Sequence, residues 1–278
     1  RGIRLYRTLA ADVTMTVYNM DDPVIGGYTQ EEVALRRAIN LGIDIDREIR
    51  LLRRGQAIPS QSPLMPQTYG YDPEYRSEMG MYDLARARAL LDMYGYVDRD
   101  GDGWREQPDG TPLRLVLSTQ PDQISRQFDE LFKKNMEALG LKLEFSIAKW
   151  PEQLRQARAG KFMMWGVGLS AASPDGQGVF ARGYSPEIGG QNLARFRLPE
   201  FDRLYERLKV LPDGPERLAL FRRANKILIA YAPYKFHVHR IINDLVQPWV
   251  IGDRRPPFWL DWWQYVDIDP GAQARTAK

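Results

Sequence analysis

The sequence contains no cysteine, which removes disulfide scaffolds, thiolate zinc sites and cysteine nucleophiles. Histidine is nearly as scarce: His237 and His239 are the only two, too few for most acid/base sites. With no Ser-His-Asp order, P-loop or G-x-G-x-x-G, enzymatic readings start weak. No run of 18 or more apolar residues of the kind a membrane span requires is present. The opening residues carry no charged segment, apolar segment and cleavage site of a secretory signal. They read as mid-domain chain, so the expectation is a processed protein or, better, a segment of something longer. No internal repeat is visible.

What is present is ordinary for a globular protein. The 278 residues are 44% apolar and 27% charged, enough for one large or two modest domains with a real core. The net charge of +3 is spread out. Arg36, Arg37, Arg222 and Arg223 fall within helical patterns interleaved with carboxylates, which is a solvated helix face and not a nucleic-acid patch.

Taken in order, Val13 to Tyr18 alternates as a strand. Thr29 and Glu32 form a capping box for a helix with Val33, Leu35, Ala38, Ile39 and Leu41 on its apolar face, and Asp44 and Asp46 are placed to cap a short helix over Arg47 to Arg54. Residues 56 to 75, with four prolines, read as an irregular excursion. A helix is expected over Met81 to Tyr94, capped by Asp83. The strand LRLVLST, a helix over Ile124 to Leu139, the strand LKLEFSIA, and a helix over Glu152 to Ala159 opened by Trp150 and Pro151 then lead to another strand. Two successive β-α-β units point to an α/β sheet. Helices over Pro199 to Val210 and Pro215 to Ala230, a β-rich stretch from Lys235 and an aromatic-rich end follow. Trp259, Trp262, Trp263 and Tyr265 there are expected to be buried against a domain, and Pro270 to Lys278 to be a frayed tail.

The central stretch, KFMMWGVGLSAASPDGQGVF (residues 161 to 180), is an apolar strand emptying into a loop of small residues. Such loops at the carboxyl ends of strands offer free backbone amides and room for a ligand, although a plain connection has the same pattern. Asp98, Asp100, Asp102 and Gly103 form D-x-D-x-D-G, the beginning of a calcium loop. Against calcium, the twelfth position is Asp109, too short for the usual bidentate Glu, and a strand follows where a helix is needed; a polar turn has the same composition. His237 and His239 alternate along a strand, which predicts one shared face. They read as strand-lining histidines satisfied by hydrogen bonds.

Several motifs in one order, LRRAINLGIDIDREI, GQAIPSQSPLMP, YDLARARALLDMYGYVDRDGDGW, LPEFDRLYERL and ERLALFRRANKILIAYAPY, resemble the periplasmic solute-binding proteins of ABC importers, oligopeptide/dipeptide (family 5) class. The likeness runs over about residues 13 to 269. It implies a periplasmic-binding-protein type II-like lobe, an α/β mixed sheet flanked by helices. It implies a periplasmic, monomeric receptor that closes two lobes over a solute by hinge motion, has no catalytic residues, and delivers the solute to the membrane permease of an ABC importer. It also implies division into a remnant of the preceding lobe or hinge (1–12), the C-terminal lobe (13–246) and a returning segment (247–278) that packs on a missing N-terminal lobe.

Two departures concern the solute. In peptide binders of this class the central strand runs into W-x-x-D-x-x-D-P, whose first Asp pairs with the peptide's α-amino group; with Asp175 in the second acidic position, Ala172 stands in the first. Dipeptide binders place an Arg for the carboxylate at a position that falls here on Thr119. Short zwitterionic peptides would therefore leave buried charges unpaired, at a cost of several kcal/mol. Longer peptides, sugars and other small solutes remain. The expected ligand-facing residues are Trp165, Ala172, Ser173, Asp175, Thr119, Gln120 and Trp150. Both tryptophans are placed to stack on a ligand, and both could equally be core. Two other readings stand beside this one: a hydrolase using a carboxylate pair such as Asp122 and Asp175, and a sensory or adaptor domain that kept the fold without the solute.

Overall fold

The structure, a computed structural model, describes residues 2–258 and 261–276. Its strands are β1 (Arg4–Leu9), β2 (Asp12–Tyr18), β3 (Ala57–Pro59), β4 (Arg114–Thr119), β5 (Lys142–Ile147), β6 (Met164–Ser170), β7 (Tyr234–Val246), β8 (Val250–Ile251) and β9 (Asp267–Ile268). The α-helices are α1 (Gln30–Gly42), α2 (Ile45–Leu51), α3 (Leu84–Met93), α4 (Gln123–Glu137), α5 (Trp150–Arg158), α6 (Pro199–Val210), α7 (Pro215–Tyr231) and α8 (Pro270–Thr276). The main sheet runs β1-β7-β2-β6-β4-β5, with β3 pairing β7. β4 is parallel to β5 and β6, whereas β2 is antiparallel to both β6 and β7. The sheet is therefore mixed. Helices α4 and α5 make the two crossovers that parallel strands require.

Strand parity distributes the core. On β2, Val13, Met15 and Val17 enter one apolar cluster with Trp165, Phe180, Phe196, Phe201 and Phe221. Tyr18, of the other parity, enters a second cluster with Leu35, Ile39, Leu115, Leu117, Met164 and Val238. Thr14 and Thr16 share Tyr18's parity, so that face of β2 becomes polar toward its amino-terminal end.

The predicted caps form. Thr29 and Glu32 complete the capping box of α1, and Asp44 and Asp83 accept from the backbone of Arg47 and Arg86. Each cap satisfies amides that a helix start leaves unpaired. Two expectations at the carboxyl end change. Residues 270–276 form α8 and not a frayed tail, started by Asp269, whose carboxylate accepts from the Ala272 amide. The aromatic cluster is only partly buried: Trp262 is 7% exposed and stacks on Trp263, which is 68% exposed. Arg255 lies over Trp262 and is held by Asp244 of β7. Trp259 lies outside the described residues.

Arg36 ties α1 to the loop before it and to the end of α7. Fully buried, it donates to the carbonyls of Ile25, Gly26, Gly27 and Tyr231. Burial pulls its pKa down to about 10, which leaves it charged at neutral pH. Replacing it would strand several buried acceptors. R36M is expected to destabilise the protein by about 1–3 kcal/mol, read by urea denaturation; a loss below about 0.5 kcal/mol, the size of an ordinary surface effect, would contradict the anchor.

Candidate functional site

The pairing of β4 with β6 stops early. The parallel ladder contains Leu117 with Met164 and Ser118 with Trp165, after which the two strands separate at their carboxyl ends. A cavity of about 520 Å³ opens there. Its floor is the polar face of the sheet: Thr14 and Thr16 of β2, Gly166, Gly168 and Ser170 of β6, and His237 of β7. Gly166 is essential to its shape. A Cβ on it would meet nothing within 4 Å, so any side chain there would project into the open space.

One irregularity aims His237 at this floor. Thr14 pairs with Val238 but Met15 with Phe236, so His237 is the extra residue of a β-bulge. Its Nδ1 lies 2.9 Å from Glu48 Oε2 and its Nε2 2.9 Å from Thr16 Oγ1. Glu48 also accepts from Arg53 Nε at 2.7 Å. Arg53 in turn reaches Thr14 Oγ1 at 3.4 Å and lies 5.0 Å from the Phe128 ring. The bulge also separates the two histidines. His239 binds the Asp12 carbonyl and packs edge-on against Tyr71, on the other core, so the predicted shared face does not exist.

The walls come from α4 and α5. Phe128 and Asp129 flank the cavity with Ser125 and Phe132, residues spaced to share one helix face. Asp129 Oδ2 accepts from Thr119 Oγ1 at 2.8 Å, and burial raises the Asp129 pKa despite that bond. Trp150, at the start of α5, and Gln153 close the far side.

The predicted site residues divide. Thr119, Gln120, Trp150 and Trp165 border the cavity. Of the two parts left open for Trp165, the structure gives the core one: it is 1% exposed and donates from Nε1 to Gln153 Oε1. Trp150, at 41% exposed, presents the free ring, 5.0 Å from that of Trp165. Ala172 and Ser173 are exposed just beyond Ser170 and do not line the cavity. Asp175 turns away: it caps the 3-10 turn Gly176–Gly183 and accepts from Arg217 at 2.7 Å. Gly176 explains the loop's course, since a Cβ there would lie 2.2 Å from the Tyr69 carbonyl oxygen. Glu48, Arg53, Asp129 and His237 were missed as site residues. The spacing of Ser125, Phe128, Asp129 and Phe132 could have suggested Asp129. No local pattern announces the bulge.

Asp98, Asp100 and Asp102 do converge, and Glu106 joins them, all within 4.8 Å; Asp109 instead binds Thr111. Both oxygens of Asp98 accept backbone amides, from Gly101 and Gly103, while Asp100 and Asp102 each take one. Arg99 donates its amide to Glu106 and places its guanidinium 4.0 Å away. These bonds account for the loop as a polar turn. Three exposed carboxylates and the half-buried one of Glu106 are also the donor type that calcium takes.

A cavity at the carboxyl ends of sheet strands, with a floor whose charges neutralise one another, defines a solute-binding lobe. The chain belongs to a known family of such proteins: residues 2–191 match the bacterial extracellular solute-binding proteins, family 5 (middle). Di/tripeptide-binding protein 2 of Pseudomonas aeruginosa is 26% identical over 231 residues, 82% of this chain and 41% of the relative. Heme-binding protein A of Haemophilus influenzae is 25% identical over 241 residues, 86% and 42% of the two chains. The oligopeptide-binding protein AppA of Bacillus subtilis, solved with a nonapeptide, shares the fold at a TM-score of 0.83 and 17% identity, covering 97% of this chain and 53% of that one. The chain thus spans about two fifths of the length of these curated relatives. The proteins so named are binding proteins, and the mixed sheet flanked by helices is the fold they have in common.

Glu48 supplies a pH test of the floor. Burial alone would raise its pKa, but the charges and hydrogen bonds of His237 and Arg53 outweigh it and bring the value from 4.5 to about 2. A carboxylate depressed in the folded state contributes stability that is complete above its unfolded value and is lost as pH falls through the folded one. Unfolding free energy measured between pH 5 and 2 is therefore expected to fall with pH in the native protein. E48Q should flatten that slope and lower stability at neutral pH; parallel slopes would show that Glu48 does not carry the effect.

Proposed function

We propose that this chain is the solute-binding lobe of an extracytoplasmic receptor that presents a peptide-like solute to the membrane permease of an ABC importer. The carrying observation is the cavity where β4 and β6 part, open over Gly166. Its size suits several residues of an extended chain or one small molecule. Trp150 and Phe128 offer ring faces, Asp129 offers a carboxylate, and the Gln120 amide has no hydrogen-bond partner among the described residues. Asp129 suits donor groups of the solute, such as amides or an ammonium. Residues 13–246 form the lobe, and residues 1–12 and 247–278 connect it to a second lobe. Two facts support this division: in the sheet β1 pairs with the far half of β7, and its Leu5 and Tyr6 are exposed. No helix among the described residues is long and apolar enough to cross a membrane, in keeping with a receptor outside the permease.

The hydrolase reading has less support. Asp122 is the cap of α4, bound to the Ser125 amide and hydroxyl, and Asp175 is committed to Arg217. Neither borders the cavity.

The test uses the full-length protein, purified without denaturation and analysed by native mass spectrometry for bound solute. Bound peptide-like solute is expected, and G166L should abolish it while leaving the melting temperature within about 3 °C, since the new side chain fills space and displaces nothing. Undiminished solute binding by a stably folded G166L protein would contradict the assignment of this cavity.

A further inference from the structure

A second cavity, of about 190 Å³, lies against the other face of β6. Met15, Trp150, Trp165, Val167 and Gly168 border both cavities, so the two adjoin across the strand end. The second has a different chemistry. Leu154, Leu169 and Leu193 give it apolar sides, and two arginines, Arg158 and Arg182, reach it with no acid in its lining.

Arg182 is the unexplained group. It leaves the 3-10 turn Gly176–Gly183, which is pinned by the buried Phe180 and by Gly183, where a Cβ would lie 2.5 Å from the Phe201 ring. The Tyr234 hydroxyl donates to the Arg182 carbonyl at 2.8 Å, which fixes the backbone from below. The guanidinium makes one hydrogen bond, from Nη1 to Gln191 Oε1 at 2.8 Å, and its enclosed Nε–H makes none. No carboxylate among the described residues forms an ion pair with it. Burial lowers its pKa, and the only groups opposing that are the phenols of Tyr234 and Tyr205. Among the described residues the fully buried guanidiniums are answered, Arg36 by four carbonyls and Arg217 by Asp175 and Asp213; Arg37 also has an enclosed Nε without a partner, but its guanidinium pairs with Glu78. A half-buried cation with an enclosed donor left over favours an acceptor with negative charge, and a guanidinium fork fits a carboxylate best.

We propose that this cavity is a carboxylate subsite: it takes a short apolar arm of the solute ending in a carboxylate, which binds Arg182, with Arg158 at the rim. For a peptide this means an acidic side chain or chain end carried around the edge of β6 at Trp150. That extension to peptides rests on the receptor reading; the subsite itself does not.

The test therefore has two arms on the full-length protein. In the first, ligand-observed NMR follows hexanoate, with hexanol as the neutral control. Hexanoate alone should bind saturably, R182Q should weaken it at least tenfold, and R182K, which keeps the charge, should retain part of the affinity. In the second, pentapeptide pools matched except for Glu against Gln are compared for retention; the Glu pool should be favoured about tenfold and R182Q should erase the difference. Equal binding of hexanoate and hexanol overturns the subsite whatever peptides do. If peptides bind without preference and hexanoate does not bind, the receptor reading survives and the subsite falls. If hexanoate binds through Arg182 and no peptide does, the subsite stands and the peptide reading falls. A failure of hexanoate with a lowered melting temperature in both R182Q and R182K would assign the counter-charge to the protein's own remaining chain and would likewise overturn the proposal.

Discussion

One extra residue in β7 governs the polar half of this structure. Because His237 is inserted opposite the Thr14–Met15 step, its ring turns onto the same face as Thr16 and meets Glu48, and through Glu48 it holds Arg53. Buried charges are tolerated when paired and hydrogen-bonded, and costly when one partner is missing. The bulge supplies that pairing. Without it the strand would present a different parity from this point on, and the buried Glu48 carboxylate would lose one of its two partners, leaving Arg53 alone to answer it.

The same sheet explains why a cavity opens at this place. β4 and β6 run parallel for two pairs and then part, and β6 carries glycines where side chains would fill the gap. Apolar packing continues on both sides of the opening, so the cavity is held by a rigid frame. Its floor groups Thr16, Glu48, Arg53 and His237 are joined by hydrogen bonds. The rim presents Trp150, Gln120, Phe128 and Asp129, and Arg182 stands on the opposite face of β6. A site of this kind binds by shape and by a few polar contacts.

Much of the frame was legible in the sequence because its signals are local. The capping box at Thr29 and Glu32, the two β-α-β passages and the strand at Trp165 needed only spacing and residue type. Of the candidate site, the sequence made legible that the end of β6, Thr119, Gln120 and Trp150 are neighbours at strand ends, where they border one cavity. The loop residues did not follow. Asp175 is drawn away by Arg217, forty-two positions later in the chain, and Ala172 and Ser173 are left on the surface. Both tryptophans were open to either part, stacking or core, and they divide because Gln153 takes the Trp165 indole into the core. The shared face predicted for His237 and His239 failed for the same kind of reason, a register shift set by the neighbouring strand. Long-range partners decide such features, and periodicity does not contain them.

The most direct test of the account is hydrogen exchange on the full-length protein with and without its co-purified solute. Slowed exchange is predicted at the amides of residues 117–120 and 166–171 and in the first turns of α4, the segments that surround the opening between β4 and β6. Protection confined to other surfaces, with these segments unchanged, would contradict the claim that this opening is where the solute binds.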